Sequence, residues 1–417
     1  MRVVVAGQGY VGLPLAVQAA RAGHTVVGYD VDEERVKRLA AGESYVDDVS
    51  SGELRALLDS RFLPSCDPRA CAGFDVAVIA VPTPLREGTP DLTYIKESAR
   101  TLARYLRPGA TVALESTTYP GTTSDLVAPI LEEGSGLIAG TDFYLGYSPE
   151  RIDPGNREWH LAVTPKVVSG INPESLQRIK AFYGTIVERT VPVSDCKAAE
   201  LAKLLENTFR HVNIALVNEL AVFAHELGID VWEAIDAASS KPFGFMRFTP
   251  GPGVGGHCLP IDPSYLSWRV QRTLGQSFRF VELANDINNH MPDYVVRRLV
   301  AALNDRRKPV NGSRVLLLGL AYKRDSGDAR ESPARRVASL LLSMGADVCA
   351  ADPHVVEDTH IDPRVVRVAA TAGEVARADA VVLLADHSDF DLSLVAAHAA
   401  YVLDTRHCLT GPTVEAL

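Results

Sequence analysis

Short apolar runs alternate with amphipathic stretches in the first part of the chain. Arg2–Ala6 and Thr25–Tyr29 are continuous apolar runs, and residues 75–81 and 111–115 have the same character. Runs that are apolar on both faces are typical of buried parallel strands. The stretches between them have helical spacing, so the pattern predicts a doubly wound α/β sheet.

The pattern changes near Val193, where one long helix is predicted. Ser194 or Asp195 can cap it, it continues through 198–227, and Gly228 ends it. A helix of about 33 residues measures roughly 50 Å at 1.5 Å per residue. Because this length exceeds the diameter of a small domain, we expect the helix to bridge domains or to pair with a second subunit. Further helices are predicted over 263–275 and 279–303.

A second strand pattern begins at Arg314. The runs 314–320, 347–351, 380–385 and 400–403 repeat the strand–helix–strand order, here without a complete G-x-G-x-x-G. The charged run 304–308 before them is interpreted as a solvated linker. The chain is therefore predicted to have two α/β halves around a helical middle.

Composition narrows the class of protein. The 417 residues include 42 Lys and Arg against 52 Asp and Glu, a net charge of −10, which argues against a nucleic-acid or anionic-membrane partner. The apolar runs are far shorter than the roughly 20 residues that span a bilayer. The chain starts directly on a strand pattern, and its six cysteines have no C-x-x-C spacing. We therefore expect a cytoplasmic protein with free thiols and no metal site.

A glycine turn predicts the cofactor site. Gly7, Gly9 and Gly12 form G-x-G-x-x-G between a predicted strand and helix, and Asp30 ends the next strand. This context is typical of dinucleotide binding, in which the helix N-terminus faces the phosphates. Asp30 is expected to accept the ribose hydroxyls and to repel a 2′-phosphate, which favours NAD over NADP. Arg35 either softens this discrimination or lies in solvent or against the adenine.

Threonines follow two of the predicted strands. Thr83 lies at the end of one, and Thr118 lies in the segment ESTTYPG (115–121) at the end of another. Ligands of open α/β sheets bind beyond the carboxyl ends of the strands. We expect these hydroxyls near the nicotinamide ribose or a catalytic water, and we assign Tyr10 and Val11 of the glycine turn to the same cofactor site.

Two further segments carry candidate chemistry. In GPGVGGHCLPID (251–262), Cys258 follows a run of glycines that a substrate can approach closely, and Asp262 lies four residues on. A helical turn that starts near Pro260 would bring this carboxylate close to the thiol. Lys203 and Asn207, spaced i and i+4, share one face of the long helix. They form either an oxyanion-binding pair or a solvated surface pair.

Together these segments resemble the nucleotide-sugar 6-dehydrogenases, the UDP-glucose/GDP-mannose dehydrogenase family, over essentially the whole chain. The resemblance rests on GQGYVG (7–12), STTYPGTT (116–123), SPER (148–151), KLLEN (203–207), GVGGHCLPID (253–262) and GLAYKRDSGDARES (319–332). It implies a four-electron oxidation of a sugar C6 hydroxyl to a carboxylate, with two NAD+ used in turn.

The resemblance also implies an α/β fold in which two Rossmann-like doubly wound domains are joined by a long central helix and a helical dimerisation region. The implied domains are an NAD-binding domain over 1–193, a central helical domain with the cysteine loop over 194–304, and a UDP-sugar-binding domain over 305–417. A homodimer or a larger homo-oligomer is expected.

Residue roles follow from the same resemblance. Cys258 would be the nucleophile, and Lys203, Asn207 and Asp262 would steer alkoxide and water. Thr118 and Glu150 would belong to the water or proton-transfer network, although Glu150 also suits a capping role before a turn. Lys323 would meet the UDP diphosphate, and Arg330 the NAD phosphates. The implied substrate-binding residues are Glu150, Lys203, Asn207, Phe248, Gly255 and Lys323.

A reactive cysteine suits this chemistry. An aldehyde has no hydride to give until a nucleophile adds to it, and a thiolate forms a thiohemiacetal that is oxidised to a thioester. Two rival classes remain. A two-electron hydroxyacid dehydrogenase needs no cysteine and no second α/β half, and a non-catalytic NAD or UDP-sugar sensor leaves the cysteine loop unexplained.

The sugar is the least determined part of the prediction. The segments KPFGF and PGPGVGGHCLPIDPSYLSW resemble the UDP-N-acetylglucosamine dehydrogenase branch. That branch usually has Pro-Phe-Tyr where this chain has Arg247, Phe248 and Thr249, in a loop expected to line the sugar pocket. UDP-N-acetylglucosamine is favoured over UDP-glucose, with UDP-N-acetylmannosamine third.

Overall fold

The structure is a computed structural model. It describes residues 1–46, 48–58, 60–86, 88–152, 158–256, 258–355 and 361–417, with the backbone alone at 258–260. The chain divides into two compact units, which are described separately: residues 1–206 with 268–274, and residues 207–267 with 275–417.

The first unit is built on a parallel sheet of six strands in the order β3-β2-β1-β4-β7-β8. Its strands are β1 Arg2–Ala6, β2 Thr25–Tyr29, β3 Phe62–Ser65, β4 Val76–Ile79, the short pair β5 Leu85–Arg86 and β6 Thr89–Pro90, β7 Thr111–Leu114, β8 Tyr144–Tyr147, and the parallel pair β9 Lys166–Val168 and β10 Thr190–Pro192. Its helices are α1 Gly12–Arg21, α2 Glu33–Ala40, α3 Ser51–Leu58, α4 Thr93–Ala103, α5 Ala128–Ser135 and α6 Pro173–Tyr183.

Four helices follow along the chain, and the second parallel sheet comes after them. The helices are α7 Cys196–Glu226, α8 Val231–Ser239, α9 Cys258–Leu274 and α10 Arg279–Asp305. The helices that lie between strands of that sheet along the chain are α11 Pro333–Ser343, α12 Ala372–Arg377 and α13 Leu392–His398. The strands are β11 Arg314–Leu318, β12 Asp347–Ala351, β13 Val366–Arg367, β14 Ala380–Leu383, β15 Val402–Asp404 and β16 Val414–Ala416. The sheet order β13-β12-β11-β14-β15-β16 matches that of the first sheet.

The apolar runs of the sequence form the centre of both sheets. Val3, Val4 and Val5 of β1 and Leu317 and Leu318 of β11 have no exposed surface, because helices cover both faces of each sheet. The prediction of two Rossmann-like doubly wound domains and a long central helix is confirmed. The sheet order places a topological switch point beside β1 in the first sheet and beside β11 in the second, where ligands of such sheets bind.

The helix boundaries differ in detail from the predicted ones. The long helix α7 has 31 residues, and Asp195 caps it by accepting the N–H of Lys197 at 3.1 Å. The helix α10 extends through Asp305, so the first part of the charged run that was interpreted as a linker is helical. In the described part of the chain, every helix is too short or too polar to cross a bilayer.

Candidate active site

The glycine turn after β1 is closely packed on one side and open on the other. Gly7 has a φ of +90°, and a Cβ on it would lie 2.5 Å from the carbonyl oxygen of Ala80. A Cβ at Gly12 would lie 1.8 Å from the oxygen of Gly7, so both positions require glycine. A Cβ at Gly9 would have no neighbour within 4 Å among the described residues, which leaves room beside the turn for a ligand.

The elements around this turn fit a dinucleotide. The helix α1 begins at Gly12, and in the described structure no side chain caps its first turn, next to Tyr10 and Val11. Its N–H groups therefore suit a pyrophosphate. Asp30 is 5% exposed at the end of β2, and its Oδ2 accepts the N–H of Gln8 at 2.7 Å. Gln8 thus fixes the carboxylate beside the glycine turn.

Arg35 lies against Asp30 in the structure. Its Nη1 donates to Asp30 Oδ2 at 3.0 Å, and its guanidinium carbon lies 5.7 Å from the ring centre of Tyr45. An arginine in this position neutralises part of the Asp30 charge, which agrees with the alternative in which Arg35 softens the discrimination against a 2′-phosphate.

The predicted threonines at the strand ends are buried. Thr83 is 3% exposed. Thr118 is fully buried, and its Oγ1 lies 2.6 Å from Oγ1 of Thr122. Thr122 is also fully buried, so it joins Thr118 as a candidate residue of the predicted water or cofactor site.

Glu200, which the sequence analysis did not select, holds the same loop from α7. Its carboxylate accepts the N–H groups of Gly121 at 2.6 Å and Thr123 at 2.8 Å, and the Thr123 hydroxyl at 2.7 Å. Burial raises the pKa of Glu200 to about 7. In the sequence it reads as an ordinary helix-surface charge, although apolar neighbours on both sides are a signal of burial.

Glu150 is part of a buried group of charges. Its Oε1 accepts the N–H groups of Arg151 and Ile152, both at 2.6 Å. Its Oε2 accepts a hydrogen bond from Lys166 Nζ at 3.0 Å, and the same Nζ also donates to Glu115. Sequence reasoning missed Lys166 and Glu115, because a lysine next to valines and a glutamate at a strand end look unremarkable without their partners.

Lys203 and Asn207 lie one turn apart on α7, as predicted. Lys203 is 8% exposed, which excludes the solvated alternative for its side chain. Asn207 Nδ2 donates to Asp262 Oδ2 at 2.6 Å, and Asp262 is fully buried in α9. This helix begins at Cys258, two residues before the predicted start. The side chain of Cys258, the predicted nucleophile, lies outside the described part of the structure.

A cavity of about 500 Å³ in the second unit contains three of the predicted substrate-binding residues. They are Phe248, Gly255 and Lys323. The Phe248 ring packs edge-on against Phe209 at 5.9 Å, and a Cβ at Gly255 would lie 2.5 Å from Cβ of Tyr322. The glycine therefore allows the cysteine loop to pack against the loop that follows β11.

The lining of this cavity is strongly cationic. Besides Lys323, its charged side chains are Arg210, Arg247, Arg324, Arg406 and Asp386. Arg324 donates to Asp386 at 3.1 Å and Arg247 to Asp236 at 2.7 Å. Five cationic side chains against one carboxylate suit an anion such as a diphosphate. The motifs pointed to Lys323 but gave no indication of Arg210 or Arg406, which reach the cavity from distant elements.

Hydrogen bonds hold the loop that carries Lys323. Asp352 Oδ2 at the end of β12 accepts the N–H groups of Leu320 at 2.6 Å and Ala321 at 2.9 Å. His387 links Asp352, 3.0 Å from its Nε2, to the N–H of Asp325, 2.9 Å from its Nδ1. The side chains of His354, Asp325 and His387 lie close enough together to hold one metal ion. Because both ring nitrogens of His387 already make hydrogen bonds, we interpret these three residues as support for the loop.

Arg330, predicted at the NAD phosphates, follows the same loop. Its guanidinium donates to Asp328 at 2.9 and 2.6 Å, and its carbonyl oxygen accepts the N–H of Gly256 at 2.9 Å. This backbone contact connects the cysteine loop to the segment DARES.

Comparison with known proteins assigns the chain to a family. Three domain models of the UDP-glucose/GDP-mannose dehydrogenase family match the chain: the NAD binding domain at residues 1–187, the central domain at 197–290 and the UDP binding domain at 316–411. The UDP-N-acetyl-D-glucosamine 6-dehydrogenase of Pseudomonas aeruginosa is 37% identical over 393 residues, 94% of this chain and 91% of the relative.

A second relative and a solved structure come from one organism. The UDP-N-acetyl-D-mannosamine dehydrogenase of Pyrococcus horikoshii is 36% identical over 392 residues, 94% of this chain and 90% of the relative. A solved structure of a UDP-D-ManNAc dehydrogenase from this organism has a TM-score of 0.89 and 32% identity, and covers 100% of this chain and 99% of that one.

The fold, the glycine turn and the matches to family domains and relatives together define the protein as an NAD-dependent oxidoreductase that acts on nucleotide sugars. The chain belongs to the UDP-glucose/GDP-mannose dehydrogenase family, and it is a nucleotide-sugar 6-dehydrogenase. The predicted family, enzyme class and cofactor are thereby confirmed.

Proposed function

We propose that this enzyme oxidises the C6 hydroxyl of UDP-N-acetylglucosamine to a carboxylate, with Cys258 as the covalent nucleophile. The overall reaction consumes one water and two NAD+ and releases two NADH. The cationic cavity supports a diphosphate substrate, and the relative from Pseudomonas aeruginosa carries the name of this activity. Because another relative at 36% identity is named for UDP-N-acetyl-D-mannosamine, that sugar is the second candidate, ahead of UDP-glucose.

One contact carries the proposed chemistry. Asn207 Nδ2 lies 2.6 Å from Asp262 Oδ2, which joins the predicted alkoxide-binding face of α7 to the first turn of the helix that begins at Cys258. The start of a helix favours an anion through its unpaired N–H groups. We assign Lys203 and Asn207 to the C6 oxygen and Asp262 to the control of protons and water beside Cys258.

The residues act in turn on the substrate carbon. The C6 hydroxyl gives its proton to the Asp262 carboxylate as the aldehyde forms. The Cys258 thiolate then bonds to C6, the carbonyl bond opens, and Lys203 and Asn207 hold the oxygen of the resulting thiohemiacetal. Oxidation of this adduct gives a thioester. Water attacks the thioester, the C–S bond breaks, the thiolate is restored, and Glu150 takes the proton of the water. Thr118, with Thr122, belongs to this water site.

The cofactor and the nucleotide are assigned to separate groups of residues. NAD+, when bound, accepts one hydride in each of the two oxidations. Gly7, Gly9, Gly12 and the start of α1 hold its pyrophosphate, and Asp30 holds its ribose. We assign Tyr10, Val11, Arg35, Thr83 and Arg330 to the same cofactor, and Lys323, Phe248 and Gly255 to the UDP-sugar. The corresponding domains are 1–193, 194–304 and 305–417.

We also propose that the enzyme is a homodimer that pairs through α7. Leu205, Leu216, Leu220 and Phe223 are exposed large apolar residues on this helix, and the exposed Leu227 follows its last residue. Most are spaced three, four or seven residues apart and so recur on one side of the helix. An exposed apolar stripe of this kind marks an interaction surface. Sedimentation velocity of the purified chain tests the proposal, and a monomer would contradict it.

A substrate panel tests the proposed reaction. Purified enzyme is incubated with NAD+ and UDP-N-acetylglucosamine, UDP-N-acetylmannosamine or UDP-glucose, and NADH and sugar products are quantified. We expect two NADH and one uronate per molecule of UDP-N-acetylglucosamine consumed. A ratio near one would favour the two-electron rival, binding without turnover would favour the sensor, and faster turnover of UDP-N-acetylmannosamine would reassign the sugar.

Cofactor choice gives a prediction for Asp30. Asp30→Ala removes the ribose acceptor and the charge that repels a 2′-phosphate, so we expect the preference for NAD over NADP to fall about tenfold or more. The values of kcat/KM for the two cofactors measure it. Because Asp30 also accepts the N–H of Gln8, Asp30→Asn serves as the variant that keeps an oxygen acceptor. An unchanged preference in both variants would place the discrimination elsewhere.

A further inference from the structure

Glu150 belongs to a group of four buried side chains that come from different parts of the first unit. Lys166 is on β9, Glu115 follows β7, Tyr183 ends α6, and Glu150 follows β8. Lys166 is 2% exposed and Glu115 is 1% exposed. We call these residues the Glu150 cluster. Burying two carboxylates and one ammonium has a high desolvation cost that requires close pairing, so the arrangement calls for an explanation.

The hydrogen bonds of Tyr183 and Lys166 indicate the protonation state of each of these two side chains. Tyr183 Oη donates to Glu115 Oε2 at 2.8 Å, and burial raises the pKa of Tyr183 well above its usual value, which keeps it a donor. Lys166 donates to both carboxylates. Burial lowers the pKa of Lys166, but the two carboxylates raise it by more, so the ammonium persists.

The two carboxyl groups differ in charge. Burial raises the pKa of Glu115 to about 7. Burial also acts to raise the pKa of Glu150, but Lys166, Glu115 and the N–H of Ile152 together lower it below its ordinary value. A proton taken up near neutral pH therefore goes to Glu115. Arg151 flanks Glu150 and pairs with Glu206 of α7 at 2.7 Å. Among the residues that the structure describes, Lys166 is then the cation that contacts the Glu150 carboxylate.

We propose that Lys166 and Glu115 are positioning residues that keep the Glu150 carboxylate ionised and correctly oriented for proton transfer from water during turnover. The inference rests on the proposed role of Glu150 and adds two residues to it. Lys166 supplies the positive charge, and Glu115, fixed by Tyr183, holds the ammonium and takes up the proton that would otherwise neutralise Glu150.

Two substitutions should differ in their effect on the pH dependence of kcat. Lys166→Met removes the ammonium, which raises the pKa of Glu150, so the acid limb of kcat against pH moves up by one unit or more. This shift lowers kcat about tenfold on the acid side of the limb, where each unit is a factor of ten, and raising the pH restores it. Glu115→Gln imitates the protonated Glu115 that is already present on this limb, so the acid limb should stay in its wild-type position.

Controls separate this role from a structural one. Lys166→Arg keeps the charge and should retain kcat within about threefold, with KM for the UDP-sugar unchanged within about twofold. Arg298→Met breaks an ion pair in the second unit, between a buried arginine and the partly exposed Glu415, and should lower stability without moving the acid limb. Should Lys166→Met not fold, Lys166→Gln removes the same charge and should give the same upward shift of the acid limb, which Lys166→Arg should not show.

The outcomes are distinguishable from failure of the proposed function. Equal losses of kcat at every pH in the Lys166→Met and Glu115→Gln variants would overturn the positioning role. Glu150→Gln is measured in parallel. If it retains wild-type kcat, the proposed role of Glu150 is itself wrong. If it is slow while the acid limbs of Lys166→Met and Lys166→Gln stay unmoved, only the positioning inference fails.

Discussion

Replacing Cys258 with alanine is expected to abolish formation of the sugar acid. The first oxidation needs only the alcohol, a bound NAD+ and a group that takes the hydroxyl proton. The second needs a nucleophile on the aldehyde, because an aldehyde carbonyl gives up no hydride directly. The Cys258→Ala variant should therefore make no measurable uronate, while it still reduces supplied UDP-sugar aldehyde with NADH. Quantifying acid, alcohol and NADH in both directions measures the two half-reactions separately.

Two further variants sharpen this test. Cys66 is an exposed free thiol in the first unit, and Cys66→Ala should keep the wild-type rate, which controls for a general effect of losing a thiol. Cys258→Ser offers a hydroxyl in place of the thiol, and a slowly hydrolysed ester would appear in intact-protein mass spectrometry with substrate and NAD+. Uronate production by Cys258→Ala at near the wild-type rate would eliminate the thiohemiacetal mechanism.

The backbone of the site could be predicted from the sequence because local rules determine it. The valines of β1 and the leucines of β11 predict buried parallel strands. Gly7 and Gly12 of the first turn are required by the steric limits of the close packing around this turn. Asp30 and Asp352 each end the second strand of a sheet, and each accepts backbone N–H groups from the loop after the first strand. These features depend on neighbours in sequence or on one strand register.

The electrostatics of the site could not be predicted in the same way. Lys166 contacts Glu115, which lies 51 residues away, and Glu200 contacts Gly121, which lies 79 residues away. Each of these side chains is charged in a chain with many surface charges, so neither composition nor periodicity separates the buried ones. The arginines of the cationic cavity could not be predicted either, because Arg210 comes from α7 and Arg406 from the segment after β15. Long-range packing decides which charges are buried.

The second large effect is expected at Lys323, on binding of the UDP-sugar. Lys323 lies in the cavity with Arg210 and Arg406, and the Asp352 carboxylate holds the loop that precedes it by accepting two backbone N–H groups. A hydrogen bond to a charged group contributes about 1.5–3 kcal/mol, which corresponds to a loss of roughly 10- to 100-fold in affinity. We expect Lys323→Ala to weaken UDP and UDP-sugar binding by this factor and to leave NAD+ binding within about twofold.

Separate titrations of each ligand by calorimetry measure this division between the two sites. Lys308→Ala is the matched control, because Lys308 is a half-exposed lysine of the same unit that pairs with Asp379 and does not line the cavity. Lys323→Arg keeps the positive charge and should recover most of the affinity at low salt, where screening is weak. If Lys323→Ala lowered NAD+ affinity and left UDP affinity intact, Lys323 would belong to the cofactor site, and the cationic cavity would need another ligand.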